Sequence, residues 1–205
     1  MPPDGACLLD VPGPFSLTGG PGVDDFPLDP FRYHLHPTGT LCGERVKTKG
    51  HYHPKSPEGI EYPEIYQVFE GEAHYLLQAR NLSRVILVEA GAGETVVVPP
   101  GFGHVTINPG QGELVMANLV SDGFTSDYGF FESHRGAAYY ELSDGRLEQN
   151  PRYPPLPPLQ RVFAAEFLPD SPFRAPLYDL VRERDLRLGC LNHPERFMEF
   201  FTRAG

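Results

Sequence analysis

The sequence predicts an all-β fold, a sandwich or closed barrel of short strands, with an irregular N-terminal arm and short helices near the C-terminus. Between Phe31 and Leu142 seven β-prone runs follow one another: RVKTKGHYH, EIYQVFEG, EAHYLLQA, RVILVEAG, ETVVVPPG, HVTINPG and ELVMANLV. Runs so closely spaced, each rich in β-branched or aromatic residues, suit a sandwich or barrel. The 23 prolines and 22 glycines among 205 residues favour many turns over long helices. A chain of this length buries one core with extended arms more readily than it makes two domains.

Residues 1–30 are crowded with Pro, Gly and Asp and show no sustained period, so they read as an arm that drapes over another surface. Residues 31–150 carry the strands of the barrel. There the punctuation is that of a meander: a Gly turn precedes EAHYLLQA, Gly91 and Gly93 break VILVEAGAGETVVV, and PPG separates a strand ending at Val98 from one starting near His104. Residues 151–205 begin with NPRYPPLPPLQRV straddling the boundary, a proline-dense stretch expected to be an extended strap. Two short helices are expected beyond it, PLYDLVRERD and HPERFMEFF, the second with Pro194 at a favourable first helical position.

Charge and composition exclude several classes of partner. The formal charge is -10 and no block is rich in Lys and Arg, so neither nucleic acid nor an anionic membrane meets the positive footprint it needs. No stretch is long and apolar enough to span a bilayer as a helix, and the N-terminus lacks the basic and apolar regions of an export signal. Cys7, Cys42 and Cys190 are odd in number, far apart and outside any CxxC pattern, which suggests neither a disulfide framework nor a thiolate zinc site. A cytoplasmic protein is expected.

The chemistry concentrates in four residues. His51 and His53 are two apart in a β-prone run, and strand alternation places both imidazoles on one face. Glu64 opens EIYQVFEG just after Pro63, where a loop returns to the sheet, and His104 follows the VVVPPGFG turn. Three neutral imidazoles and one carboxylate suit a borderline divalent metal: Fe(II), Mn, Zn, Ni or Co. An HxH pair alone is a weak signal, because exposed strand histidines are common; the later Glu and His make it strong. His34, His36, His74, His134 and His193 lack such company and read as surface or structural histidines, His36 being the first to re-examine. Tyr52 should point to the opposite strand face and pack, while Tyr62 and Tyr66 read as core or barrel mouth.

GHYHP, PEIYQVFEGEAHYLLQ and ETVVVPPGFGHVTIN together resemble the two sequence blocks of the cupin superfamily, and most closely its cupin-type phosphoglucose isomerases. The resemblance spans roughly residues 39–151. It implies a cupin double-stranded β-helix, a jelly-roll barrel, with metal ligands at His51, His53, Glu64 and His104 and iron(II) as the favoured ion. SDYG, with Tyr128, also resembles a segment of that family. In two places the chain departs from the pattern. The loop PKSPEGIEYP is long and holds the rival carboxylates Glu58 and Glu61, and of the threonines that precede the metal block in the family and help hold phosphate only Thr48 is matched, the earlier strand reading FRYHLHP.

The reaction implied is a metal-dependent aldose–ketose isomerisation between glucose 6-phosphate and fructose 6-phosphate, a step of glycolysis and gluconeogenesis. A cation held by three His and one Glu keeps two free positions if octahedral, enough for adjacent oxygens at C1 and C2 of an open-chain sugar. Glu64 or Tyr128 could carry the proton, and a hydride shift would need neither. The substrate phosphate would meet Thr48, the backbone of Gly50 and Lys49, with Lys47 nearby. A homodimer is expected, chiefly from the resemblance. Two other readings use the same ligands: an iron-dependent cupin dioxygenase, which would consume oxygen, and a non-catalytic sugar-binding cupin, which would bind without isotope exchange at C2.

Overall fold

The computed structural model describes residues 32–168 and 171–201, and the expected arm over 1–30 lies outside them. Strands occur at β1 (Arg32–His36), β2 (Thr40–Leu41), β3 (Glu44–Arg45), β4 (Glu64–Glu70), β5 (Glu72–Ala79) and β6 (Val85–Gly91). They continue at β7 (Thr95–Val98), β8 (Phe102–Ile107), β9 (Leu114–Val120), β10 (Tyr139–Glu141), β11 (Leu147–Gln149) and β12 (Gln160–Phe163). Helices are short: α1 (Gly129–Ser133), α2 (Ala164–Phe167) and α3 (Leu177–Arg182). Among the described residues two four-stranded sheets form, in the orders β1-β9-β4-β7 and β12-β6-β5-β8, with two small hairpins, β2-β3 and β10-β11. Two such sheets, antiparallel except where β12 joins β6, make the all-β barrel of a cupin.

Alternation explains which side chains enter the barrel. On β5, Ala73, Tyr75 and Leu77 share one face, and all three belong to the larger core cluster with Tyr66, Val68 and Met116. The opposite face of β5 carries Leu76 and Gln78. Leu76 joins a second cluster with Tyr52, Val105, Ile107, Phe131 and Tyr153, while Gln78 reaches the hydroxyls of Tyr52 and Tyr153. β4 is buried on both faces from Glu64 to Val68. One face looks into the barrel; the other, with Ile65 and Gln67, is covered from the C-terminal segment, whose Leu177 N–H donates to Gln67 Oε1 at 3.0 Å.

RVKTKGHYH was expected to be a continuous strand. It is instead an extended segment that touches β8 only at single bridges, Lys47 to Ile107 and His51 to His104, and pairs on its other side with Asp127 through Tyr52. Gly50 and the ring of Phe131 explain part of the irregularity: a Cβ at Gly50 would stand 2.1 Å from Phe131 Cδ1, so the ring is packed directly against the backbone. Gly103 plays the same part under Tyr52, where a Cβ would lie 2.7 Å from the ring. Tyr52 thus packs on the outer face, as alternation requires, and is 1% exposed.

The tail departs further from expectation. The proline-dense stretch runs irregularly as far as Leu159, but QRVF then adds a parallel strand beside β6, a pairing that needs no hairpin signal and leaves none in the sequence. PLYDLVRERD is helical over α3, whereas HPERFMEFF forms short 3-10 turns at Pro194–Arg196 and Met198–Phe200. Pro194 does take its expected early position in the first of these. Of the three cysteines, Cys190 is free and buried, and Cys7 lies outside the described residues. No helix among the described residues is long and apolar enough to cross a membrane.

Candidate active site

Glu64 begins β4, His104 lies within β8, and the His51–His53 segment runs along the free edge of β8. His51 N–H and His104 N–H each donate to the other residue's carbonyl, at 3.3 and 3.1 Å, which brings the two rings to 4.5 Å between centroids. His53 follows on the same face, 5.1 Å from the His51 ring and 5.9 Å from that of His104. All four expected ligands therefore gather around Glu64, but only His51, His53 and Glu64 offer donor atoms all within 4.8 Å of one another, and His104 stands outside that mutual set. Glu64 Oε2 is the focus, 3.2 Å from His104 Nε2, 3.4 Å from His53 Nε2 and 4.0 Å from His51 Nε2. Glu58 and Glu61, the rival carboxylates, stay outside this group; Glu61 turns toward Arg80.

The proton positions favour a cation. His53 Nδ1 lies 2.9 Å from the carbonyl of Tyr62, which can only accept, so the ring's proton sits on Nδ1 and the Nε2 lone pair faces Glu64. Glu64 Oε2 is buried and has no aligned hydrogen-bond donor despite its three neighbours. Lone pairs directed at an anionic oxygen repel it unless a positive charge stands among them, and the donor set of nitrogens and one carboxylate oxygen suits a borderline divalent ion. His51, His53 and Glu64 offer atoms all within 4.8 Å of one another. The residues present fit a metal.

Burial shapes the charges. Desolvation is the main force on His51, with His104 and His53 also opposing its protonation against the pull of Glu64, and its pKa falls to about 3. The ring is neutral and ready to ligate at neutral pH. Burial alone would raise the Glu64 carboxyl; N–H donation and positive charge at His104 and His53 outweigh it and hold the group well below the usual carboxylate range, a part that a bound cation would take over where Nε2 carries no proton. Tyr66 is pushed well above the usual phenol value by burial and then by the Glu64 charge, so its hydroxyl keeps its proton beside His104 Nε2 at 3.0 Å.

At the mouth, the Tyr128 ring stands 5.4 Å from His51 and is 37% exposed. Lys49 Nζ lies 4.8 Å over that ring and 2.6 Å from Glu132. Thr48 Oγ1 accepts from the Thr106 N–H at 2.8 Å, which fixes the side chain but leaves its proton available. Lys47 turns away, pairing with Glu44 and lying near the Tyr140 ring. Gly50 is buried against Phe131, so its lack of a side chain has a packing cause besides any role in binding. His74 pairs with Glu141 and His134 stacks on Phe130, both outside the cluster.

Several neighbours of the site went unnoticed in the sequence. Phe124 stacks on Tyr62 at 4.8 Å and leans on His53 at 4.7 Å, walling the mouth. Arg80, at the end of β5, donates to the His53 carbonyl at 3.1 Å, reaches Asp127 at 3.4 Å and lies over Tyr52, so one guanidinium ties the histidine segment to the chain before Tyr128. Asn118 holds Glu64 Oε1 through its side-chain amide. Each comes from a different strand or loop; the alternation of β9 was the only clue to Asn118, and it could not name a partner.

Comparison with known proteins bears on this site. A family model described as Glucose-6-phosphate isomerase (GPI) matches residues 30–157, a stretch that contains all four clustered residues and Tyr128. The glucose-6-phosphate isomerase of Thermococcus litoralis is 35% identical over 95 residues, 46% of this chain and 47% of that protein. That of Thermococcus gammatolerans is 30% identical over 122 residues, 58% of this chain and 61% of that protein. The chain thus spans about half to three fifths of these curated relatives. Among solved structures, Bacillus subtilis oxalate decarboxylase is similar at 12% identity over 53% of this chain and 26% of its own, with a TM-score of 0.38, too slight a likeness to carry an argument.

Proposed function

The chain belongs to the glucose-6-phosphate isomerase family of the cupin type, and from that premise we propose that it interconverts glucose 6-phosphate and fructose 6-phosphate with one divalent metal per subunit. The observation that carries this reading is the convergence of His51, His53 and His104 on Glu64 Oε2 in a buried site with no aligned donor among them. Iron(II) is the ion proposed first, with Mn, Zn, Ni or Co able to use the same donors. When bound, it supplies Lewis acidity that polarises the substrate carbonyl, worth several kcal/mol.

The residues of the chain supply the rest. Glu64 has one oxygen engaged by Asn118 and the other facing the imidazoles, so its role is to ligate and to set the charge of the site. Tyr128 would meet the sugar and pass a proton at its hydroxyl oxygen, a role supported by its exposure at the mouth beside His51. Thr48 donates its remaining hydroxyl proton to the phosphate, and Lys49 supplies the cation by exchanging Glu132 for the dianion. The Gly50 backbone completes that subsite. Phe124 and Tyr62 close the wall beside His53 and limit water at the reacting carbons. A phosphorylated sugar substrate argues for a cytoplasmic setting, and a homodimer is the assembly proposed.

A coupled assay for fructose 6-phosphate formation, run before and after chelation and again with metal restored, tests this reading. Turnover should vanish on chelation and return with iron(II). No turnover with any of the five metals would remove it, and oxygen uptake with a small organic substrate would favour a dioxygenase instead.

A further inference from the structure

The two oxygens of Glu64 are held differently. Oε2 faces the imidazoles, whereas Oε1 is gripped by the Nδ2 of Asn118, a residue 5% exposed on the neighbouring strand. Tyr66 stands opposite Asn118 in the β4–β9 register, so Glu64, two residues away on the same face, is its diagonal neighbour. An amide can be turned either way, and what turns it is the partner at its other end. Here that partner is His34, whose Nε2 lies 2.9 Å from Asn118 Oδ1. The amide oxygen only accepts, so His34 must present a proton on Nε2, and that leaves the NH2 group for the carboxylate. Reversed, the amide would set oxygen against anionic oxygen at Glu64 and donor against donor at His34.

The His34 ring is itself steadied. It stacks on His36 with centroids 6.0 Å apart and planes 9° from parallel, and His36 is buried. β1 and β9 are paired with Arg32 opposite Asn118, which makes His34 another diagonal neighbour across the sheet. Three adjacent strands, β1, β9 and β4, thus deliver His34, Asn118 and Glu64 in a row. His34 did not announce such a role in the sequence, because its partner Asn118 stands 84 residues away on another strand.

We propose that Asn118 and His34 are positioning residues: they hold Glu64 by Oε1 so that Oε2 alone is turned toward the three imidazoles. This rests on the metal reading above. Partners that orient a ligand in this way typically change metal affinity by about 10–100-fold when removed.

The test uses the full chain, stripped with chelator and titrated with Co(II), reading dissociation constant and visible spectrum without any sugar present. Asn118→Ala should bind Co(II) about 10–100-fold more weakly, with altered ligand-field bands. Asn118→Asp, of the same shape but offering an acceptor in place of the donor, should weaken binding at least as much and covers the case in which the alanine variant does not fold. His34→Gln, which keeps an N–H donor, should retain more affinity than His34→Ala. Asn118 variants with unchanged affinity and spectrum would overturn the proposal, and so would a His34→Gln protein as weak as His34→Ala. If the unaltered chain fails to bind Co(II), the metal reading itself fails, a result distinct from these.

Discussion

At the scale of single residues, two side chains divide the work at the site, and substitution should separate them. Glu64→Gln removes the one anionic donor from a group buried to 2% exposure, so both metal content and turnover should fall, turnover by about 10²-fold or more. Tyr128→Phe removes only a hydroxyl at an exposed position; turnover should fall by about 10²-fold with metal content, read by elemental analysis, unchanged. Equal loss of metal in both variants would contradict the division. His36 gives a pH prediction. Burial first, and His34 second, lower its pKa to about 4 from an unfolded value near 6.5. Between those values the unfolded chain binds the proton and the folded one does not, so stability falls as pH drops below about 6.5 and levels off below about 4. The contribution lost by pH 5 is about 2 kcal/mol, and His36→Asn should flatten that part of the denaturation profile measured from pH 7 to pH 5.

At the scale of elements, β4 shows how far pattern carries. EIYQVFEG announces a strand, and alternation puts Glu64 on the same face as Tyr66; what it does not announce is that the other face is buried too. That cover comes from the C-terminal segment, where Leu177 is fully buried and donates its N–H to Gln67. Leu177→Ala should therefore cost about 2–4 kcal/mol in denaturant unfolding, as for a core leucine, although it lies outside the barrel strands. A loss near zero would mean that the segment rests on β4 without stabilising it. The ligand positions were legible because they obey local rules: a period of two for His51 and His53, a strand start for Glu64, a turn before His104. Asn118, Arg80 and Phe124 were not, since each gains meaning only from a partner on another strand. RVKTKGHYH misled in the opposite sense, for its β-prone residues could not reveal that Phe131 closes against Gly50 and leaves only isolated bridges.

For the whole molecule, two sheets bring β4, β8 and the histidine segment around one end of a common interior, and that arrangement concentrates three imidazoles and one carboxylate in a buried space. The barrel was readable from closely spaced β-prone runs and Gly/Pro punctuation; the parallel strand β12 was not, because no turn signal marks a long-range pairing. The central claim is that a cation at Glu64 Oε2 and isomerase turnover are one property of this chain. The most direct measurement is to titrate chelated protein anaerobically with iron(II), following bound metal and fructose 6-phosphate formation in the same samples. Binding should saturate at one ion per chain with turnover rising in proportion to occupancy; turnover that ignores occupancy, or full occupancy without turnover, would contradict the account.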